Sequence, residues 1–312
     1  MTRILVTGAS GLLGLNLALE AAQEHTVMGV THSRALLNAP FETSQADLLA
    51  DGVVGRLLDQ AEPEWVLHCA ALADVDQCER QPDLAQQMNA ELPGRLATEC
   101  AARGLRLAHI STDAVFDGQR GNYVEADQPS PLGVYGRTKL EGEHAVMERH
   151  PDAIVARVNF FGWSLMGERS LGEFFYSNLS AGRSVQGLTD REFSPLLAND
   201  LAPVLLRMLE AGLGGLYHVA STDGISKHDF GVLIAEQFGL DASLIQPATS
   251  GDLDYQAARA PKLTLDTGKL ATALGQAPPT VAEGVQGLYR LHQSAYPEQL
   301  RAMGVSVAVE ES

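Results

Sequence analysis

The 312-residue sequence predicts an α/β fold with a doubly wound parallel sheet and a smaller C-terminal α/β lobe. Apolar strands alternate with helical stretches from the start of the chain to about Gly162, and a glycine-rich turn separates the first strand from the first helix. The strands are apolar on both faces, which is typical of a parallel sheet that helices cover on both sides. This alternation indicates the doubly wound arrangement.

The elements of the first half follow in a regular order. Residues 3–7 are predicted as a buried strand, and 12–23 as a helix with apolar residues at helical spacing. Four further strands are predicted in the stretches TVMGVTHS, PEWVLHCAAL, LRLAHISTDAVF and AIVARVNFFG. Helices are predicted between them, at about 51–61, 82–103 and 133–149.

The pattern is less regular after Gly162. Helices are predicted in SLGEFFYSNLSAG, NDLAPVLLRMLEAG and SKHDFGVLIAEQFG, and a strand in GLYHVAS. The last helix has Ser226 as a candidate N-cap and Gly239 as a candidate C-cap. We therefore expect a first domain over 1–157, with 195–222 returning to its sheet, and a second lobe mainly over 158–312.

Composition excludes several classes of partner. The formal net charge of −17 argues against nucleic acid or an anionic membrane surface as a general partner. The three cysteines, Cys69, Cys78 and Cys100, lack C-x-x-C spacing, which favours reduced thiols over a disulfide frame or a metal site. No targeting segment or run of membrane-spanning length is evident. The expectation is a cytoplasmic protein without a bound metal.

The stretch TGASGLLG indicates a dinucleotide cofactor. Its glycines have the spacing G-x-x-G-x-x-G, directly between the first strand and the first helix. A glycine turn at this junction lets the backbone approach a pyrophosphate, whose charge lies at the helix N-terminus. The first domain is thus predicted to be an NADP-binding Rossmann domain. The residues of the turn predicted to bind the cofactor are Gly8, Ser10, Gly11, Leu12, Leu13 and Gly14.

The end of the second strand bears on the choice of cofactor. An NAD site commonly has an acidic residue here for the ribose 2′-hydroxyl, whereas this chain has His32, Ser33 and Arg34. A hydroxyl and a cation suit a 2′-phosphate, so we expect NADP(H) with NAD(H) tolerated; a solvated turn is the alternative. Downstream, Asp47, next to Leu48, could accept from the adenine amino group or could simply cap a helix.

Candidate acid–base residues lie in the stretch VYGRTKLEGE. Tyr135 and Lys139 are four residues apart and share one helix face. A tyrosine pKa of about 10 is high for proton transfer at neutral pH, and we expect the neighbouring ammonium to lower the pKa of Tyr135. The lysine can also hold a ribose hydroxyl. Ser111 and Thr112 end a strand, where their hydroxyls could bind a substrate oxygen or complete a turn.

These features occur together in an order that resembles a known family. The chain resembles extended short-chain dehydrogenases/reductases and, among them, the dTDP-4-dehydrorhamnose reductase family, also called sugar-nucleotide-binding proteins. The resemblance extends to about residue 275 and is carried by LVTGASGLLG, HCAALADVDQCERQP, ISTDAVFDG, EADQPSPLGVYGRTKLEGE and RAPKLTLDTGKL. The pairing of STDAVFDG with SPLGVYGRTKLEGE is far more specific than the glycine turn.

The resemblance implies an NADPH-dependent reductase of a nucleotide-activated 4-keto-6-deoxy sugar. Tyr135 would protonate the C4 oxygen as hydride arrives, Thr112 would hydrogen-bond that oxygen, and Lys139 would orient the nicotinamide ribose. Further residues are implied by position: Cys69, Ala70, Ala71, Val158 and Asn159 at the cofactor, and Asp113, Arg259 and Lys262 at the substrate.

Two departures from the family pattern lie on the substrate side. Ala73 replaces a common threonine, and Lys262-Leu263 replaces Asn-Ser. Arg259 and Lys262 could grip a diphosphate or could be solvated surface cations. The alternatives are an epimerase with retained NAD and an NADP-binding regulatory subunit like the β subunit of methionine adenosyltransferase. Members of the superfamily also dimerise through helices that correspond to 82–103 and 133–149, so a homodimer is expected.

Overall fold

The computed structural model describes residues 1–252 and 260–304. The strands are β1 (Arg3–Thr7), β2 (Thr26–Thr31), β3 (Glu42–Gln45), β4 (Trp65–His68), β5 (Arg106–Thr112), β6 (Ile154–Val158), β7 (Phe160–Phe161), β8 (Val185–Leu188), β9 (Glu192–Phe193), β10 (Leu196–Leu197), β11 (Gly215–Val219), β12 (Ile225–Ser226), β13 (Ile245–Ala248) and β14 (Lys262–Leu263). The α-helices are α1 (Leu12–Ala21), α2 (Val53–Ala61), α3 (Val75–Arg80), α4 (Pro82–Gln86), α5 (Leu92–Arg103), α6 (Val134–Arg149), α7 (Leu171–Ser180), α8 (Ala198–Glu210), α9 (Lys227–Phe238), α10 (Gly268–Leu274), α11 (Val281–Gln293) and α12 (Tyr296–Ala302).

The central sheet has seven strands in the order β11-β6-β5-β4-β1-β2-β3. All of its pairings are parallel, which confirms the predicted doubly wound α/β fold. Because the strand order reverses between β1 and β4, a crevice is expected at the carboxyl ends of these two strands. The glycine turn after β1 lies at that crevice.

The core explains why the strands are apolar on both faces. Ile4 and Val6 of β1 belong to a cluster with α1 and α8, whereas Leu5 belongs to a second cluster with α2 and α5. Alternate side chains of one strand thus bury against helix layers on opposite faces. The stretch 195–222 contains α8, which packs on α1, and β11, which pairs with β6.

The helix predicted over 82–103 differs in its middle. It is divided into α4, a π-helical turn at Gln87–Glu91, and α5. Two local features accompany the division: Pro93 lies in the first turn of α5, where it can donate no amide, and the buried Asn89 donates from Nδ2 to the Leu72 carbonyl at 3.0 Å. The π-helical turn therefore lies where the polar side chain of Asn89 is buried.

The later part of the chain carries most of the short strands that lie outside the central sheet. Its short sheets pair β8 with β13, and β9 with both β12 and β14. The predicted caps of α9 are present, because Ser226 Oγ accepts from the Asp229 amide at 3.0 Å and Gly239 has a left-handed φ of 66°. Within residues 1–252 and 260–304, none of the helices combines the length and apolarity needed to span a membrane.

Candidate active site

The glycine turn is built by close packing at the β1–α1 junction. Gly8 has φ +70°, and a Cβ there would lie 2.8 Å from the Ala70 amide nitrogen. A Cβ on Gly14 would lie 2.3 Å from the Gly8 carbonyl oxygen, so neither position accepts a side chain. Gly11 is the N-cap of α1, whose first turn has no acidic residue and no side-chain cap. The helix N-terminus is therefore left for an external anion.

A cavity of about 650 Å³ opens at this turn. Its volume is within the usual range for cofactor sites. Nine residues that the sequence assigned to the cofactor line it: Gly8, Ser10, Gly11, Ser33, Asp47, Leu48, Cys69, Ala70 and Ala71. Gln77, Leu84, Met88 and Arg169 line it as well, although the sequence did not indicate them.

Other assigned residues lie outside this lining. Leu12 and Leu13 are buried in the core, Gly14 packs against Gly8, and Arg34 is half-buried beyond the end of β2. Asp47 Oδ1 accepts from the Leu49 amide at 2.9 Å within a turn, and the next helix, α2, has Gly52 as its N-cap. Asp47 therefore lines the cavity without capping a helix, and its contact with the adenine stays a prediction.

Thr112 and Tyr135 come together where β5 ends and α6 begins. Thr112 Oγ1 accepts from the Ala114 amide at 3.1 Å and donates to Asp113 Oδ1 at 3.1 Å. The Tyr135 phenol lies close enough to Thr112 for that hydroxyl to lower the pKa of Tyr135, against the larger raising effect of burial. Two hydroxyls assigned to the same substrate oxygen are therefore adjacent before any substrate binds.

Asp113 and Asn159 extend this hydrogen-bonded chain. Asn159 Nδ2 donates to Asp113 Oδ2 at 2.6 Å, and Asp113 is buried. Burial raises the pKa of Asp113 to about 6, against the lowering effect of its hydrogen bonds from Asn159 and Thr112. The Asp113 carboxyl, which we expected to bind substrate, thus has its hydrogen bonds within the protein and holds Asn159 and Thr112 in place.

Lys139 lies deep in the site, with 2% of its surface exposed. Its Nζ donates to the Ile110 carbonyl at 2.6 Å. Burial lowers the pKa of Lys139 to about 8, partly offset by the negative charge of Glu143. The imidazoles of His68 and His109 stack 5.3 Å apart, and burial and the charge of Lys139 lower the pKa of each.

The expectation that Lys139 lowers the pKa of Tyr135 is wrong in this structure. Burial raises the pKa of Tyr135 to about 12, and the lowering contribution comes from the Thr112 hydroxyl. The physical reason is that desolvation of the phenolate dominates, while the Lys139 ammonium donates to the Ile110 carbonyl instead. Tyr135 is therefore fully protonated at neutral pH, as a proton donor must be.

A buried ion pair supports the helix that carries Tyr135 and Lys139. Glu143, one turn after Lys139, pairs with Arg157 of β6 at 2.7 Å, and neither side chain is more than 3% exposed. Ser111 Oγ donates to Glu143 Oε1 at 2.5 Å. These contacts tie α6 to β5 and β6. The sequence carried a signal for Glu143 in the four-residue spacing from Tyr135 to Lys139 to Glu143, but nothing local indicated Arg157.

A second cavity, of about 160 Å³, is lined by Tyr135 and Asn159. Its lining also includes apolar side chains, two cations, Arg191 and Lys227, and the carboxylate of Glu192. Arg191 Nε is buried and makes no hydrogen bond within the described part of the chain. The sequence missed both cations, because they come from the β8–β9 turn and the start of α9 and reach the site only through the fold.

The structure describes only one of the two cations that the sequence assigned to the substrate. Arg259 lies outside the described residues. Lys262 Nζ pairs with Glu192 Oε1 at 3.6 Å, with its side chain about half exposed, and it does not line the cavity. Across residues 1–252 and 260–304, no group of three or more histidine, cysteine or acidic side chains is placed to hold a metal ion.

These features place the protein among the extended short-chain dehydrogenases/reductases, which are NAD(P)-dependent oxidoreductases. More specifically, the chain belongs to the RmlD substrate binding domain family, whose model matches residues 1–293. The family expected from the sequence motifs is thereby confirmed.

Three relatives show the range of functions within this similarity. The chain is 38% identical over 290 residues to a probable low-salt glycan biosynthesis reductase, Agl14, of Haloferax volcanii, covering 91% of this chain and 96% of that protein. It is 36% identical to the methionine adenosyltransferase 2 subunit beta of Mus musculus, covering 89% and 84%. It is 34% identical to the dTDP-4-dehydrorhamnose reductase of Mycobacterium tuberculosis, covering 87% of each.

Solved structures show the same fold. A dTDP-4-dehydrorhamnose reductase from Clostridium acetobutylicum superposes with a TM-score of 0.81 and 26% identity, covering 93% of this chain and 99% of that one. The dTDP-4-dehydrorhamnose reductase from Bacillus anthracis, solved in complex with NADP, has a TM-score of 0.80 and 24% identity with the same coverage.

Proposed function

We propose that the protein is an NADPH-dependent reductase of a nucleotide-activated 4-keto-6-deoxy sugar. The observation that carries this proposal is the position of the Tyr135–Lys139 pair relative to the two cavities. Tyr135 lines the smaller cavity. Cys69 lines the larger one, and although burial raises the pKa of its thiol, Lys139 is near enough for its charge to lower that pKa in part. The names of the reductase relatives and the NADP in the Bacillus anthracis structure support the assignment of cofactor and substrate class.

The reaction adds a hydride and a proton to the C4 carbonyl of the sugar. NADPH supplies the hydride when it is bound. Tyr135 gives its phenolic proton to the developing C4 oxygen, and the Thr112 hydroxyl hydrogen-bonds the same oxygen. Lys139 holds the nicotinamide ribose through its ammonium. Asp113 and Asn159 keep these groups in position through their buried hydrogen bonds.

Recognition of the nucleotide diphosphate is assigned to the cations of the smaller cavity. Arg191 and Lys227 lie at its lining, and a buried guanidinium nitrogen without a partner is suited to a phosphate oxygen. A local basic site is needed because the chain has a net charge of −17. Arg259 remains a candidate for the same anion, whereas the ion pair of Lys262 with Glu192 makes Lys262 a weaker one.

The direct test is a panel of nucleotide-activated 4-keto sugars, with consumption of NADPH followed by absorbance. Net consumption with at least one 4-keto-6-deoxy sugar is expected, and Tyr135→Phe should abolish most of it. Turnover without net consumption of cofactor, with NAD retained by the protein, would indicate an epimerase instead.

A regulatory role is the second candidate, and the similarity to the methionine adenosyltransferase 2 subunit beta of Mus musculus favours it. The substrate-side departures at Ala73 and at Lys262-Leu263 are consistent with a site that has lost its sugar. Co-purification with a second polypeptide, together with bound NADPH and no turnover of any nucleotide sugar, would support this role over the reductase.

A further inference from the structure

The cofactor cavity has little positive charge in its lining to bind the phosphates of NADPH. NADPH carries a pyrophosphate and a 2′-phosphate, and the chain itself has a net charge of −17. Among residues 1–252 and 260–304, a single lysine or arginine lines the cavity, and it is Arg169. Asp47 adds a negative charge to the same lining. Arg34, the cation expected from the sequence, is absent from this lining.

The pyrophosphate has a partner of its own in the N-terminus of α1. The Gly11 cap contributes no side chain, and the first turn of the helix has no acidic residue, so its free amides and dipole face an anion. The 2′-phosphate belongs at the end of β2, where His32 and Ser33 line the cavity. Within the described residues, the lining at this end of the cavity holds no lysine or arginine of its own, so a cation from another segment is needed to compensate the phosphate charge.

The loop that presents Arg169 is held by a buried carboxylate. Glu173 is fully buried, and its Oε2 accepts from the Arg169 amide at 2.8 Å and from the Ser170 amide at 3.1 Å. Its Oε1 accepts from the Ser164 amide at 2.5 Å. The Glu173 carboxylate therefore holds both ends of the loop 164–170 through charge-assisted hydrogen bonds. These bonds fix the backbone of Arg169, while the Arg169 side chain stays exposed.

The same loop packs against Gly304, which pairs with the segment that follows β2. Leu165 Cγ lies 3.6 Å from the position that a Cβ on Gly304 would take, and Gly304 forms an antiparallel bridge with Leu36, just beyond β2. On the other side, Asn16 of α1 donates to the Trp163 carbonyl at 3.0 Å. The loop thus connects the segment after β2 with α1, the two elements that flank the adenosine phosphate position.

We propose that Arg169 binds the 2′-phosphate of NADPH and so gives the protein its preference for NADPH over NADH. This inference rests on the proposed NADPH-dependent function and names the residue that distinguishes NADPH from NADH. Arg169 is a binding residue in this role, and it touches no reacting atom.

The test compares the affinities of NADPH and NADH for purified variants by titration calorimetry, without any sugar substrate. Arg169→Ala should weaken NADPH by about tenfold, the lower end of the range for an exposed charge-assisted hydrogen bond, and leave NADH unchanged. Its NADPH affinity should also depend less on salt, and Arg169→Lys should restore part of the loss. Arg183→Ala, which removes an exposed arginine after α7, is the matched control and should bind both cofactors normally.

Several outcomes would overturn the inference. Equal losses for NADPH and NADH would place Arg169 at the pyrophosphate, and no loss would remove it from the site. A selective loss in Arg34→Ala but not in Arg169→Ala would return the 2′-phosphate to Arg34. A wild-type protein that binds neither dinucleotide would overturn the proposed function itself, which separates the two failures.

Discussion

Replacing the buried Lys139 with methionine should stabilise the cofactor-free protein while it damages the active site. Burial lowers the pKa of Lys139 from 10.5 to about 8. Because the folded-state pKa lies below the unfolded one, the ammonium costs stability at every pH below about 8, and the cost disappears as the pH rises from about 8 to 10.5. Lys139→Met removes this cost, and a long unbranched side chain can occupy the same space.

The magnitude follows from the shift and from the hydrogen bond that is lost. A fall in pKa from 10.5 to about 8 corresponds to about 3 kcal/mol of unfolding free energy at pH 7. Methionine leaves the Ile110 carbonyl without its donor, which costs about 1 kcal/mol. Lys139→Met should therefore raise the free energy of unfolding by about 2 kcal/mol at pH 7, and by about zero at pH 10.

Urea unfolding of the cofactor-free proteins at pH 7 and pH 10 measures this difference. The matched control is Lys269→Met, which removes an exposed lysine whose Nζ also donates to a backbone carbonyl, that of Leu216 at 2.6 Å, and lies 4.3 Å from the Tyr217 ring centroid. It should lower the free energy of unfolding by about 1 kcal/mol, and equally at both pH values. The same Lys139→Met protein should bind NADPH more weakly, since the lysine is assigned to the ribose. A variant that is less stable than the wild type at pH 7, or equally stabilised at both pH values, would refute the electrostatic reasoning.

Three further substitutions test other parts of the site. Gly11→Val should abolish binding of NADPH, because the side chain would occupy the position assigned to the pyrophosphate. The circular dichroism spectrum should stay native, because a Cβ on Gly11 meets only the Gly8 carbonyl oxygen, at 3.1 Å. Normal NADPH affinity in this variant would contradict the role assigned to the glycine turn. Glu143→Gln should lower the free energy of unfolding by about 3–5 kcal/mol, because Arg157 stays buried without its carboxylate. In chemical denaturation the exposed Glu141→Gln should differ from wild type by less than about 0.5 kcal/mol, and similar losses in both would contradict the ion-pair argument. Thr112→Val should mainly lower kcat in steady-state assays, and an effect confined to KM would contradict its place at the reacting oxygen.

The central sheet was predictable because its signals are local. Strands apolar on both faces require two helix layers, and the glycine turn after β1 can be read from eight consecutive residues. The short helices α3, α10 and α12 gave no comparable pattern, and α11 was not predicted although Thr280 and Glu283 form a capping box at its start. The π-helical turn at Gln87–Glu91 accompanies the burial of Asn89 against the Leu72 carbonyl, a contact that joins two separate segments.

The chemistry of the site was only partly predictable. Residue types and spacing indicated Tyr135 and Lys139 as candidates, but the pKa of Tyr135 depends on burial, which the sequence does not show. The cations that line the two cavities, Arg169, Arg191 and Lys227, come from loops and a helix start far from the recognised motifs. They reach the cavities only through the tertiary packing of the later part of the chain.

The most direct test of the account is the turnover of Tyr135→Phe with a nucleotide-activated 4-keto-6-deoxy sugar and NADPH. The substitution removes only the hydroxyl, so affinity for NADPH should stay within about twofold while kcat falls by about 10²–10⁴-fold, the usual contribution of a general acid. If the wild type reduces such a sugar and Tyr135→Phe does so at the same rate, Tyr135 is not the acid. If the wild type binds NADPH but reduces none of these sugars, the reductase assignment is wrong.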